Sequence, residues 1–275
     1  MTYFSFLCQF LVIPLAILLI ITLIDSRRGK TVRGFLNGRA IWIAIGLHVL
    51  IAIIYTTPWD NYLVATGVWY YNPNLISGLI LGWVPIEEYI FFVLETILTG
   101  LWWWFLARRL KPPGEFKPER NIRIFSTVIL GAIWLGAAYI LISSWKPGTY
   151  LSLILVWALP AIMLQIAYGA DILWHHRKLV TLVILPVFFY ISAADSLAIS
   201  SGTWTIDAAQ SLGIIIGALP VEEAVFFLST VVLIGFGLTL SLSRASQARW
   251  IIWGDRILKT KPRITSLVGI TKETQ

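Results

Sequence analysis

Residues 84–92 read Val-Pro-Ile-Glu-Glu-Tyr-Ile-Phe-Phe, and residues 219–227 read Leu-Pro-Val-Glu-Glu-Ala-Val-Phe-Phe. The two stretches share one motif, Pro-x-Glu-Glu-x-x-Phe-Phe, spaced 135 residues apart. Working outward, the same shift aligns residues 60–105 with 195–240 without a gap. The identities include Asp60 with Asp195, Gly67 with Gly202 and Trp69 with Trp204, beside Pro85 with Pro220, Glu87 with Glu222 and Glu88 with Glu223. Self-similarity at one fixed offset marks an internal duplication.

Each motif lies in a long apolar run. Of the 275 residues, 58% are hydrophobic and only 13% charged, and the mean hydropathy is +0.80, which excludes an ordinary soluble globule. Runs long enough to cross about 30 Å of hydrocarbon are read at 3–24, 40–57, 79–105, 122–142, 150–168, 179–193 and 211–240, the sixth being the shortest. The first lacks a basic leader and a small-residue cleavage site, so it is expected to stay as a helix. The single cysteine, Cys8, lies in that run, which leaves no disulfide framework or cysteine metal site.

The net charge of +7 and pI near 9.6 raise the question of nucleic acid. The basic residues instead follow membrane topology. All Lys and Arg except Lys146 fall in the loops after spans one, three and five or in the tail, which by the positive-inside rule puts the N-terminus outside and the C-terminus in the cytoplasm. The expected fold class is an all-α integral membrane protein of seven transmembrane helices in a 3+1+3 arrangement. Repeat one covers 1–107, a connector helix 122–142, repeat two 150–242, and a basic cytoplasmic tail 243–275. Matching helices are four crossings apart and so run parallel, related by a two-fold axis along the membrane normal. The segments 58–78 and 195–210 are expected to be outer caps over the bundle.

Runs three and seven exceed a bilayer core in length, so Pro85 and Pro220 are expected to break or tilt them, or to open a helix. The acids then lie beside a discontinuity at membrane depth. An ionised carboxylate at the centre of a membrane helix costs roughly 2.5–3.5 kcal/mol, and each copy carries two. Desolvation and the neighbouring carboxylate both disfavour charge, so each pair is expected to hold at least one proton at neutral pH and to titrate as a unit. That is the arrangement of a general acid beside an anion. The rival reading makes the glutamates hydrogen-bonding glue between helices. Phe91, Phe92, Phe226 and Phe227 lie one turn from the acids, where ring faces can stabilise a cation and where core packing is an equal alternative. Trp102, Trp103 and Trp104 read as an interfacial belt, and His48, His175 and His176 lack metal-ligand spacing.

The doubled motif in a seven-span chain resembles the membrane-integral lycopene cyclase family. Its two homologous units occur as separate subunits of a heterodimer in some bacteria and fused in archaea, other bacteria and fungi. The resemblance, to the fused form, covers residues 3–242 and leaves the tail unmatched. It implies closure of one or both ψ-ends of an acyclic carotene to β-rings without net redox change. On that resemblance Glu87, Glu88, Glu222 and Glu223 are the candidate acid and counter-ion residues, and Phe91, Phe92, Phe226 and Phe227 line the substrate. Pro85, Pro220, Asp60 and Asp195 are structural at the site. The implied partners are lycopene or γ-carotene, the lipid bilayer of the cell membrane and other carotenoid-pathway enzymes, with no nucleic acid. No Gly-x-Gly-x-x-Gly sequence is present, so no flavin is expected, and no metal.

A transporter with parallel repeats is the alternative from another class, although spans two, four and six are almost wholly apolar where a carrier needs polar lining. A retinal-binding rhodopsin needs a lysine in the last span, which has none. A Glu-Glu-x-x-x-Arg peptidase needs arginine where Phe92 and Phe227 stand. The paired Asp-x-x-x-Asp motifs of magnesium-dependent isoprenoid transferases are also lacking.

Overall fold

The computed structural model describes residues 1–260, with side chains described as far as Ile252. Lys261, Arg263 and Lys272 of the basic tail lie outside the described residues, as do the side chains of Arg256 and Lys259. Among the described residues seven helices are long and apolar enough to cross a membrane. They are α1 (Tyr3–Arg27), α2 (Arg39–Ala65), α3 (Ile86–Ala107), α4 (Arg120–Ile142), α5 (Thr149–His175), α6 (Arg177–Ser200) and α7 (Val221–Leu242). An eighth, α8 (Arg244–Thr260), lies against α5 and α7. The central helices α3 and α7 pack on each other and carry the largest buried shares, whereas α4 is peripheral and packs chiefly on α5.

The sequence expectation is corrected at three places. Of the two expected roles, Pro85 and Pro220 open a helix and do not break one inside runs three and seven. Residues before each proline form a two-stranded hairpin, β2 (Ile80–Leu81) with β3 (Val84–Pro85) and β5 (Ile215–Ile216) with β6 (Leu219–Pro220), and the helices begin directly after it. Gly82 and Gly217, each at φ 70°, open the two-residue turns, a conformation that glycine takes without strain. Pro85 and Pro220 stand as extended caps whose missing N–H sits where a helix has no acceptor to offer. Span six is not the shortest, because α6 runs on through Asp195 to Ser200. Asp195 faces the interior, so the apolar run ends while the helix does not. Asp60 likewise belongs to the end of α2, in the protein interior rather than in an outer loop. Lastly, Trp103 and Trp104 are core residues and no interfacial belt. Trp103 is fully buried and donates its indole N–H to Thr239 Oγ1 at 3.0 Å.

The segments after α2 and α6 pair with each other. β1 (Trp69–Tyr71) pairs antiparallel with β4 (Trp204–Ile206), and the central pair of the ladder is Tyr70 with Thr205, 135 residues apart in the chain. At the opposite end Asp25 meets Lys30 at 2.9 Å and Arg109 at 2.8 Å, and Asp171 meets Arg249 at 2.5 Å, so basic loops close on two buried acids.

Prolines inside α1, α5 and α6 each release the carbonyl four residues back, which in lipid needs another donor. Neighbouring helices supply one each time. Phe10 O, freed by Pro14, accepts from Tyr190 Oη at 2.9 Å. Val156 O, freed by Pro160, accepts from Trp134 Nε1 at 3.3 Å, and Leu182 O, freed by Pro186, accepts from Trp102 Nε1 at 3.0 Å. α1 also contains a π-turn at Cys8–Val12. α1 opens Tyr3-Phe4-Ser5 and α5 opens with Tyr150-Leu151-Ser152, but Pro14 follows one residue later than Pro160 does, and a wider turn absorbs one extra residue.

Candidate active site

Because α3 and α7 start immediately after a hairpin, each Glu pair sits in the first helical turn, where the helix dipole favours negative charge. Neighbouring residues on a helix point about 100° apart, and the two members of each pair separate accordingly. Glu87 turns outward to the loop and accepts the Ser77 backbone N–H at 2.6 Å. Glu222 does the same for Leu212 N–H at 2.6 Å and also accepts from Ser211 Oγ at 3.1 Å. Glu88 and Glu223 turn inward.

The inward pair shares one chamber. A cavity of about 30 Å³, close to the volume of one water molecule, is lined by Glu88 and Glu223 together with Asp195, Phe91, Phe226 and Phe227. Glu88 accepts from the phenols of Tyr3 and, at 3.0 Å, Tyr71. Glu223 accepts from Tyr150 Oη at 2.7 Å. Asp195 Oδ1 accepts from Trp204 Nε1 at 3.1 Å. Asp60 is 1% exposed, and neither of its carboxyl oxygens has a hydrogen-bond partner among the described residues. Burial, with Glu88 alongside, pushes the Tyr71 phenol well above its ordinary value, so this strand residue remains a donor.

Of the residues singled out in sequence, Glu88, Glu223, Asp195, Phe91, Phe226 and Phe227 thus meet in one place. Glu87 and Glu222 hold the loops in front of their helices, and Phe92 lines a different cavity with Glu95 and Thr230. Sequence reasoning missed Tyr3, Tyr71, Tyr150 and Trp204. The shared Tyr-x-Ser start of α1 and α5 is a signal for Tyr3 and Tyr150, but it lies outside the gapless 135-residue alignment.

Chemically, the chamber offers two carboxyl groups with phenol donors, one further buried carboxyl, Asp195, and aromatic walls. Fold and site together define a helical protein with seven helices of membrane-spanning length and a buried chamber of acids, phenols and aromatic rings.

The comparisons with known proteins narrow this class. The lycopene cyclase family profile matches residues 1–106 and 147–240, both halves with the connector omitted. The lycopene beta-cyclase of Halobacterium salinarum is 37% identical over 202 residues, covering 74% of this chain and 83% of that protein. The bifunctional lycopene cyclase/phytoene synthase of Podospora anserina is 35% identical over 212 residues, 74% of this chain but 35% of the fungal one. The corresponding Aspergillus niger protein is 34% identical over 202 residues, again about a third of its length. No solved structure matches the chain. The chain belongs to the lycopene cyclase family, and so to the enzymes of carotenoid biosynthesis.

Proposed function

We propose that this enzyme closes the ψ-ends of lycopene to β-rings by carboxylic-acid protonation, with Glu88 and Glu223 as the acids. The single observation that carries the reading is their convergence, from the two copies of one motif, on one aromatic-walled chamber of about 30 Å³. A carboxyl group gives its proton to C2 of the terminal double bond, which leaves a tertiary cation at C1. The π electrons of C5=C6 then form the C1–C6 bond and move the cation to C5. Loss of the C6 proton to a carboxylate restores C5=C6. One proton enters and one leaves per ring, so there is no net redox change.

Phe91, Phe226 and Phe227 present π faces to the cation. The carboxylate that Glu88 or Glu223 becomes on giving up its proton opposes the cation in a site of low dielectric, where electrostatic stabilisation counts most, and Asp60 and Asp195 stand as buried acids structural at the site. The phenols of Tyr3, Tyr71 and Tyr150 hold Glu88 and Glu223 in place, and Glu87 and Glu222 hold the hairpin loops over them. The architecture that fits this reading is two parallel three-helix repeats with α4 as connector, related by a two-fold axis along the membrane normal. The N-terminus is outside and the C-terminus in the cytoplasm, in a multi-pass protein of the cell membrane.

Expression in a lycopene-accumulating bacterium tests this. Chromatography is expected to show γ- or β-carotene, with one solvent deuteron per ring when cells grow in heavy water. Unchanged lycopene beside well-accumulated protein refutes the substrate, and rings without deuterium refute the protonation.

A further inference from the structure

At about 30 Å³ the acid chamber has no room for the polyene arm behind a reacting end, so the hydrocarbon needs room elsewhere. Two cavities offer it, both outside the chamber and both bordered by exposed apolar side chains of the helix bundle. The first, about 180 Å³, lies between α2, α3, α5 and α7, with Ile51, Ala52 and Tyr55 on its α2 wall and Leu233 on α7. The second, about 360 Å³, lies between α6, α3 and α1 on another flank of the bundle, with Pro186, Val187 and Tyr190 on α6 and Leu98 on α3.

These are not two unrelated gaps. Ile51, Ala52, Tyr55 and Leu98 each stand 135 residues before Pro186, Val187, Tyr190 and Leu233, so equivalent residues build equivalent walls. Each cavity is also roofed the same way. Tyr55 Oη donates to Trp157 O at 2.6 Å, and Tyr190 Oη donates to Phe10 O at 2.9 Å, each reaching the carbonyl of the facing helix. Both tyrosines are 39% exposed, and Ile51 and Ile17 at the two mouths are 58% and 53% exposed. Only side-chain rings stand between the first cavity and the acid site, where Trp157 in its wall packs on Phe226 of the chamber with centroids 6.0 Å apart. The second cavity is lined almost entirely by apolar side chains.

We infer that these two cavities are paired lateral binding pockets, each walled by helices of both halves of the chain, that take the hydrocarbon arms of acyclic carotene from the bilayer and present them to the Glu88–Glu223 chamber. The inference rests on the carotene reading of the chamber. A duplicated pocket suits a substrate with two identical ends, and an opening on the lipid side suits one dissolved in lipid. A lipid acyl chain is the competing occupant.

Filling the pockets tests this on the purified full-length protein, by measuring the lycopene it retains per mole. Ala52→Trp in the first pocket and Val187→Trp in the second are each expected to lower retained lycopene about twofold, and the pair at least tenfold. Leu135→Trp, on an exposed apolar position of α4, which lines neither cavity, is expected to leave it unchanged. If a tryptophan variant fails to accumulate, Ala52→Leu and Val187→Phe make the same comparison with smaller side chains. A folded double variant that retains wild-type lycopene overturns the inference, and so does a wild type that carries phospholipid but no lycopene. Retention does not require ring closure. Wild type that binds lycopene, loses it when the pockets are filled and makes no ring upholds the pockets while refuting the cyclisation.

Discussion

Thr230 on α7 donates its hydroxyl to Glu95 Oε1 on α3 at 2.7 Å, and the two residues hold the same place in the two halves, 135 positions apart. One half supplies a buried acid and the other the donor that satisfies it. Thr230→Val is expected to strand the carboxyl and cost about 1–3 kcal/mol of stability. Glu95→Leu with Thr230→Val removes both partners and is expected to unfold closer to wild type than Thr230→Val alone. Thermal unfolding in detergent reads the difference, and simple additivity would deny the coupling.

The split within each Glu pair predicts two distinct phenotypes. Glu88→Gln and Glu223→Gln are expected to lower conversion of lycopene about 10²-fold or more, the scale of losing a general acid, with normal protein levels. Glu87→Leu and Glu222→Leu remove the acceptor of a loop N–H and are expected to cost about 1–3 kcal/mol of stability instead. Conversion per mole of folded protein separates the two groups.

The phenol shell is unequal. Glu88 accepts from Tyr3 and Tyr71, whereas Glu223 has the phenol of Tyr150. Tyr150→Phe is therefore expected to reduce turnover more than Tyr3→Phe or Tyr71→Phe, and Tyr3→Phe with Tyr71→Phe is expected to match it. Equal effects of all three single changes would remove the argument.

At the basic end, Asp171 receives Arg249 through two contacts, 2.9 and 2.5 Å, and both side chains are buried. Losing one partner of such a pair leaves an uncompensated charge, so Asp171→Ala is expected to cost about 3–5 kcal/mol. A fall in melting temperature that high salt does not reproduce is the expected outcome, because buried pairs are poorly screened.

His176, between α5 and α6, is 6% exposed and packs on Phe35 with ring centroids 4.6 Å apart. Burial, with His175 next to it, holds its pKa down at about 4, against an ordinary 6.5. The fold thus favours the neutral ring. Its contribution is complete above pH 6.5 and is lost as pH falls from 6.5 toward 4. His176→Phe is expected to flatten that acid limb in melting curves taken between pH 7 and 4.

The duplication, the seven apolar runs and the candidate acids were legible in the sequence, because hydropathy and self-similarity depend on residues close together in the chain. Asp60 and Asp195 were legible as identical positions but not as interior residues, since α2 and α6 outlast the apolar runs that announce them. The hairpins before Pro85 and Pro220 were hidden in apolar residues that read equally as helix. Only the tertiary structure separated Glu87 from Glu88 and Glu222 from Glu223, because a 100° turn decides direction but not what stands there. It also brought Tyr3, Tyr71 and Tyr150 to the acids, across sequence separations of 85, 17 and 73 residues. Contacts of that range follow from how whole helices pack, which no local pattern encodes, and they turn a doubled motif into one chamber.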